Sequence, residues 1–481
     1  MRITKIEIEN FRAFYGTYQL DLHKAGKNLL IYGENGSGKT SLYQALKLFL
    51  ESSEGVHRFE DHQNIFIPND AGHIKLHLRE NSGANERVYE WAQNVRETND
   101  LLIIDASRTK GFLDYKELLE THFVHRENDF VNVFDLLVKT LLANTVSRQA
   151  DRNVTDQGLA KDWDSIQPPF PRRNAKNEIA DLENRILIFN RELGDRLTEL
   201  QTKTSEILQK FGYNVTLKLD FQGITYNQDD KTLDNQEISL SVEFFDKSIP
   251  AHHRFLNEAK LSAIAIAVYF SSILIQPESD LKVLALDDVL IGLDMSNRLP
   301  VLDILEEYFA DYQIFLTTYD KAWYEIVKQR TSHGGKWKAV EFYFRQTDEY
   351  EIPVYVEDKA YLEKAKEYLE TNDYKACAVY LRTAFEMIIE NFCNDRHLPV
   401  KYHRDPNKQD TQDFWDAIKV ENKRMIEKES RTLLEQDLIN NIELYRSRIL
   451  NPLSHATIAN IPKKEIEDTL EAVNRLKTTL G

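Results

Sequence analysis

The sequence predicts an α/β fold, a largely parallel sheet with crossover helices, followed by an all-helical C-terminal region. Three observations predict it. A glycine-rich loop, Gly33 to Thr40, lies between an apolar run and a helical stretch. Short apolar runs at Asn28–Tyr32, Val283–Leu286 and Ile314–Leu316 are interleaved with helix-like segments, as buried parallel strands are with their crossovers. Beyond residue 358 strand-like alternation gives way to helix-forming sequence.

Composition narrows the classes. A chain of 481 residues suggests several domains at about 100–200 residues each. With 42% hydrophobic and 29% charged residues, it is not a disordered chain. Its two cysteines, Cys377 and Cys393, exclude a disulfide scaffold and a four-cysteine zinc site, and suit a reducing cytosol. The net charge of −17 argues against a surface coated in nucleic acid and leaves room for a local basic groove. The opening Met1-Arg2-Ile3-Thr4 passes straight into strand-like alternation with no charged-then-apolar leader. The longest apolar run, Ala263 to Ile275, is too short to cross a bilayer. The expectation is a cytoplasmic protein with no membrane contact.

In chain order, Ile3, Ile6 and Ile8 mark a first strand, and Tyr18, Leu20 and Leu22 continue the alternation. Asn28–Tyr32 is a buried strand, Ser41–Leu50 a helix, and Ile74, Leu76 and Leu78 a further strand. Asp164–Pro171, with three prolines, reads as a loop. Ile179, Leu182, Ile186, Phe189, Leu193 and Leu200 recur at three-four spacing. That is either a short coiled-coil seam or one face of an amphipathic helix, inserted at about residues 172–212. Residues 215–246 alternate, Phe255–Ile275 is a long apolar helix, and Gln346–Glu357 reads as an acidic linker. The expected division is a head over 1–345, that linker over 346–357, and a helical domain over 358–481.

Gly33-Glu34-Asn35-Gly36-Ser37-Gly38-Lys39-Thr40 matches G-x-x-x-x-G-K-[ST] at every fixed position, after a strand and opening a helix. Glycines let backbone N–H groups wrap a phosphate chain, and the helix N-terminus adds partial positive charge. Lys39 is placed to neutralise β- and γ-phosphates, and Thr40 to hold Mg²⁺. Much later, Leu284-Ala285-Leu286-Asp287-Asp288 ends an apolar strand with two acids. The first is placed to hold the metal and the second to polarise an attacking water.

These residues, with Ile8-Glu9-Asn10-Phe11-Arg12-Ala13-Phe14 upstream, resemble the ATP-binding cassette ATPases of the RecF/SMC type over roughly residues 1–345. The resemblance implies ATP and Mg²⁺ as ligands, with metal at Thr40 and Asp287. It implies nucleotide contacts from Arg12, Asn35, Gly36, Ser37, Gly38, Lys39, Thr40 and Ser41. Asp287 becomes the Walker B acid and Asp288 the catalytic carboxylate. Asn257 and Glu258 fall in the signature segment, Asp294 is the D-loop acid, Tyr319 stands at the switch and Gln63 at the Q-loop. Such heads work as dimers. Three positions depart from the pattern: Asp288 replaces Glu, Tyr319 replaces His, and Asn257 replaces the signature Ser. Asp is a methylene shorter than Glu and Tyr carries no imidazolium charge, so the expectation is slow turnover with ATP holding the dimer.

The C-terminal region holds two clusters. Arg382 and Glu386 are four apart and share a helix face. In Arg448-Ile449-Leu450-Asn451-Pro452-Leu453-Ser454-His455, Arg448, Asn451 and His455 share a face if the helix is continuous, with Arg446 pointing away. Pro452 disfavours helix at Asn451, and a break there would leave only proximity. The Arg-x6-His spacing resembles the HEPN superfamily, and its fusion to an ATPase resembles the PrrC and RloC anticodon nucleases. The resemblance implies a metal-free ribonuclease: His455 as base or acid, Arg448 on the phosphate, and Arg382, Glu386 and Asn451 in support. From Tyr355 onward there are 20 Lys+Arg against 23 Asp+Glu, close to neutral, which is consistent with RNA docking there. The functional expectation is an ATP-gated ribonuclease toxin of anti-phage (abortive infection) defence. It would act as a homodimer or higher oligomer, with RNA, tRNA by analogy, as substrate, and with a partner effector or antitoxin open. Its competitors are a Septu-like scaffolding ATPase that controls a separate nuclease, and a RecF-like repair head, which the acidic charge and the extra domain disfavour.

Overall fold

The computed structural model describes residues 1–480 except 56, 68–71, 81–84, 110, 116–130, 146–157, 246, 250, 291, 347–350, 358–360, 402–409 and 451–461. Two compact units divide the chain, Met1–Glu357 and Asp358–Gly481.

In the first unit, β1 (Arg2–Glu9), β2 (Thr17–Asp21), β4 (His73–Arg79) and β5 (Glu86–Ala92) form an antiparallel sheet in the order β2-β1-β4-β5. Ile6, Ile8, Ile74, Leu76 and Leu78 turn to one buried face by period-two alternation, and a register shift between Ile3 and Lys5 brings Ile3 to the same core. Between β2 and β4 the chain makes β3 (Asn28–Gly33) and α1 (Lys39–Glu51); after β5 come α2 (Leu101–Arg108) and β6 (Phe112–Asp114). A smaller antiparallel group follows: β7 (Val131–Asn132), β8 (Val215–Phe221), the β9 (Thr225–Asn227)–β10 (Thr232–Asp234) hairpin, β11 (Ile238–Phe244) and β12 (Lys247–Ile249).

The central six-stranded sheet runs β16-β15-β3-β14-β13-β6, with β13 spanning Val283–Asp287, β14 Gln313–Thr318, β15 Trp337–Gln346 and β16 Glu351–Glu357. All its neighbours are parallel except β15 and β16. Both faces are covered, so its strands read as continuous apolar runs, and alternate residues serve two separate cores. Leu29, Ile31, Val283, Ala285 and Phe315 join the core beneath β1 and α1. Leu30, Leu284, Leu286, Ile314 and Leu316 join a larger core on the other face.

That larger core contains α3 (Lys176–Lys210) and α4 (Glu258–Leu274) packed together, with Ile179, Leu182, Ile186, Phe189, Leu193 and Leu200 buried. The three-four spacing is therefore one face of an amphipathic helix packed on the head, not a coiled-coil arm. Helices α5 (Met295–Tyr308) and α6 (Lys321–Thr331) complete the crossovers.

The stretch expected as a linker is largely strand. Gln346 ends β15, and Glu351–Glu357 pairs antiparallel with it from Val340 to Gln346. Its Pro353, which suggested a loop, sits on an edge strand where a missing N–H is tolerated. Pro353 also closes on the phosphate loop: a Cβ at Gly38 would lie 2.8 Å from the proline Cγ, and Tyr18 Oη donates to the Pro353 carbonyl at 2.9 Å. Gly38 has φ 97°, so glycine is required there twice over.

The second unit is helical among its described residues: α7 (Tyr361–Glu370), α8 (Tyr374–Asp395), α9 (Thr411–Glu429), α10 (Gln436–Tyr445) and α11 (Lys463–Leu480), with a π-helical turn over Arg446–Leu450. Leu381, Phe385, Ile389, Trp415, Ile418, Ile442 and Val473 form its core, and both cysteines are buried in it.

Candidate nucleotide site

The C-terminal ends of β3, β14, β13 and β6 lie side by side, in the place where parallel α/β sheets present ligand-binding residues. From β3 the loop turns through Gly36 and Gly38, both at positive φ, into α1. Lys39 is 4% exposed. Its Nζ donates to the carbonyls of Gly33 (2.7 Å) and Glu34 (3.1 Å) and stands 3.5 Å from Asp288 Oδ2. Ser37 Oγ is buried with no hydrogen-bond partner. A loop with an orphaned hydroxyl, an inward lysine and an open Gly36 fits a phosphate chain.

Asp287 and Asp288 differ in their surroundings. Asp287 Oδ2 accepts from Thr40 Oγ1 at 2.7 Å, and Oδ1 from Thr317 Oγ1 at 2.6 Å. Burial pushes its carboxyl above the ordinary value, against the two hydroxyls and Lys39. Asp288 adopts φ 54°, a left-handed conformation that Asp tolerates, and its Oδ1 accepts the Tyr319 backbone N–H at 3.0 Å. Burial raises Asp288 too, with Lys39 opposing and Asp287 adding. Two crowded, buried acids beside a single lysine are a donor set that suits a divalent cation; Thr40 and Asp287 would hold it.

The remaining expected residues surround this pair. Ser41 Oγ accepts from Ala13 N at 3.4 Å, which holds the Arg12 loop against the first turn of α1. Arg12 is exposed, its N–H donates to His62 O at 2.9 Å, and Gln63 bridges to Phe11. Asn35 and Gly36 lie in the exposed tip of the loop. Tyr319 is 41% exposed and meets Asp288 through its backbone rather than its phenol. Asn257 caps α4, accepting from Lys260 N at 3.0 Å, and Glu258 lies exposed in its first turn. Asp294 caps α5 through Asn297 N (3.0 Å), and bonds from Ser296 and Asn297 hold its carboxyl below the ordinary range.

Three residues escaped sequence reasoning. Thr317 was part of a recognised strand, but its hydroxyl grips Asp287. Asp114 ends β6 in register with Asp287, a short apolar run closed by an acid, as Asp287 is. Arg298 donates to the carbonyls of Leu290 (3.0 Å) and Leu293 (2.8 Å) and to Asp320 Oδ2 (2.5 Å), stapling the turn after Asp288 to the start of α6. An arginine among mixed helix residues carries no sequence signal for that role.

In the second unit Arg382 Nε donates to Glu386 Oε1 at 2.9 Å, and Thr411 Oγ1 donates to the same oxygen at 3.1 Å. Asn451 and His455 lie outside the described residues. Arg446 is buried at 7% exposure, while Arg448 is 58% exposed and pairs with Glu465 at 2.7 Å, so the two point to different faces. The chain is π-helical over Arg446–Leu450, and the shared face expected of Arg448, Asn451 and His455 reaches beyond the described residues.

A comparison with protein families matches residues 2–333 to the RecF/RecN/SMC N terminal domain. Similar solved structures include an SMC head bound to the C-winged helix domain of ScpA, at 15% identity and TM-score 0.39, covering 76% of this chain and 100% of that one. Another is the Pyrococcus furiosus SMC head with an extended coiled coil bound to the C-terminal domain of ScpA (13%, TM-score 0.42, 77% and 99%). A third is the SMC head domain from Thermotoga maritima (13%, TM-score 0.37, 74% and 100%). A search of the curated proteins finds no match. The family match spans more than two thirds of the sequence and contains the phosphate loop, both acids and Thr317. The chain therefore belongs to the RecF/RecN/SMC N-terminal domain family and carries an SMC-type ATPase head within residues 2–333.

Proposed function

We propose that this head gates a ribonuclease: ATP-driven dimerisation of two heads brings two C-terminal units together into one RNA-cutting site. The protein acts as a toxin of anti-phage defence, and tRNA is its substrate class. The observation that carries this reading is one chain holding both a cluster fit for phosphate and a divalent cation (Lys39, Thr40, Asp287, Asp288) and a near-neutral helical unit with a paired Arg382–Glu386.

In the head, Lys39 and the loop N–H groups receive the phosphates, and Thr40 and Asp287 receive Mg²⁺, which when bound neutralises the β- and γ-oxygens. Asp288, fixed by the Tyr319 N–H, takes the proton of the attacking water. In the second unit His455 removes the 2′-OH proton. The 2′-oxygen attacks phosphorus, the 5′-oxygen leaves with a proton returned by the His455 imidazolium, and a 2′,3′-cyclic phosphate remains.

The experiment incubates the purified chain with ATP and labelled tRNA, beside His455→Ala and DNA of the same sequence. RNA cut to 2′,3′-cyclic ends by the parent alone supports the reading. No cleavage under any nucleotide condition leaves the scaffolding ATPase, a reading favoured by the solvent-facing Arg448–Glu465 pair, which engages the guanidinium expected on substrate.

A further inference from the structure

The buried arginine of the second unit has no role in the scheme above. Arg446 opens the π-helical turn at the end of α10, and such turns often mark functional sites. Its guanidinium lies 5.4 Å from the Phe385 ring centre. Its Nε is buried without a hydrogen-bond partner. A buried donor left unpaired forfeits its hydration without return, so such a group calls for an acceptor.

The acids around it are engaged elsewhere. Glu386 takes Arg382 at 2.9 Å and Thr411 at 3.1 Å. Lys419 takes Asp416 at 3.0 Å and Glu443 at 2.8 Å. Asp410 caps α9 in a reciprocal capping box with Asp413. These four carboxylates act on Arg446 through space. Among the described residues none of them forms an ion pair or hydrogen bond with it. A planar fork held on an aromatic face, with its own charge unanswered by contact, suits a tetrahedral oxyanion.

We infer that Arg446, held over the Phe385 ring at the π-helical turn, holds a phosphodiester of a polynucleotide, and that Arg448 pairs with Glu465 instead. This deepens the ribonuclease reading and rests on it for the identity of the polynucleotide.

The test measures binding of a fluorescent 2′-O-methyl RNA, which lacks the attacking hydroxyl, and of DNA of the same sequence. The full chain is used with ATP saturating, so the phosphate loop is filled. Losing a charge-assisted contact predicts that Arg446→Met weakens binding about tenfold or more, Arg446→Lys falls between, and Arg448→Met stays within about twofold. Parental affinity in Arg446→Met, an equal loss in Arg448→Met, or no binding of either oligonucleotide by the parent overturns the inference. If Arg446→Met fails to fold, Arg446→Lys decides: at least about threefold weaker supports, parental affinity overturns. Ordinary RNA cut by the parent and not by His455→Ala, with Arg446→Met binding unchanged, sinks this inference alone. Oligonucleotide held through Arg446 with no cleavage in any nucleotide state sinks the ribonuclease reading alone.

Discussion

Thr40 and Asp287, 247 positions apart in the chain, are joined by a 2.7 Å hydrogen bond from hydroxyl to carboxylate. Thr317 closes on the other oxygen of the same carboxylate at 2.6 Å. Two strand ends, those of β13 and β14, thus meet at one buried acid, and the phosphate loop is tied to it through the first turn of α1.

Lys39→Ala should abolish ATP binding, because Lys39 is the cation buried between the phosphate loop and Asp288. Direct titration checks it, and unchanged affinity would remove the loop from the nucleotide site.

Asp288→Asn should keep ATP binding, stop hydrolysis and hold the heads together. Parental turnover should itself fall well below the enzyme median of about 10 s⁻¹. Because burial raises the Asp288 carboxyl, hydrolysis should fade on acidification at a pH above the ordinary carboxylate range. The stability effect has the opposite sense. A raised carboxylate favours the fold below its unfolded pKa, and that contribution is lost as pH rises through the folded value. At neutral pH, ligand-free Asp288→Asn should therefore melt no lower than the parent; a clearly lower melting temperature would contradict the charge assignment.

Thr317→Val keeps the shape of the side chain and removes the hydroxyl. Leaving a buried Asp287 oxygen unpaired should cost about 1–3 kcal/mol of stability and weaken Mg²⁺-dependent nucleotide binding more than metal-free binding. Equal losses with and without Mg²⁺ would place Thr317 outside the metal site.

Asn257 replaces the expected serine yet caps α4 in the same manner. Asn257→Ser should be nearly neutral for stability, whereas Asn257→Ala should cost about 0.5–2 kcal/mol, read by denaturant unfolding. Identical stabilities would show the cap to be idle.

The nucleotide site was legible because its chemistry is written locally. Gly33–Thr40 and Leu284–Asp288 each carry their strand, their turn and their reactive group in consecutive residues. The parallel sheet followed from apolar runs without alternation. What stayed hidden depends on partners distant in sequence. Thr317 and Asp114 gain meaning only from the register of β14 and β6 against β13. β16 looked like a linker because Pro353 reads as a breaker unless the strand is known to lie at an edge. The π-helical turn over Arg446–Leu450 is invisible to α-helical counting.

The most direct measurement of the central claim is the rate of tRNA cleavage by the purified chain as ATP is titrated, with Lys39→Ala and His455→Ala beside it. Cleavage should rise with ATP occupancy in the parent, be absent in Lys39→Ala at any ATP concentration, and be absent in His455→Ala despite parental ATP binding. Cleavage indifferent to ATP, or undiminished in His455→Ala, would contradict the central claim.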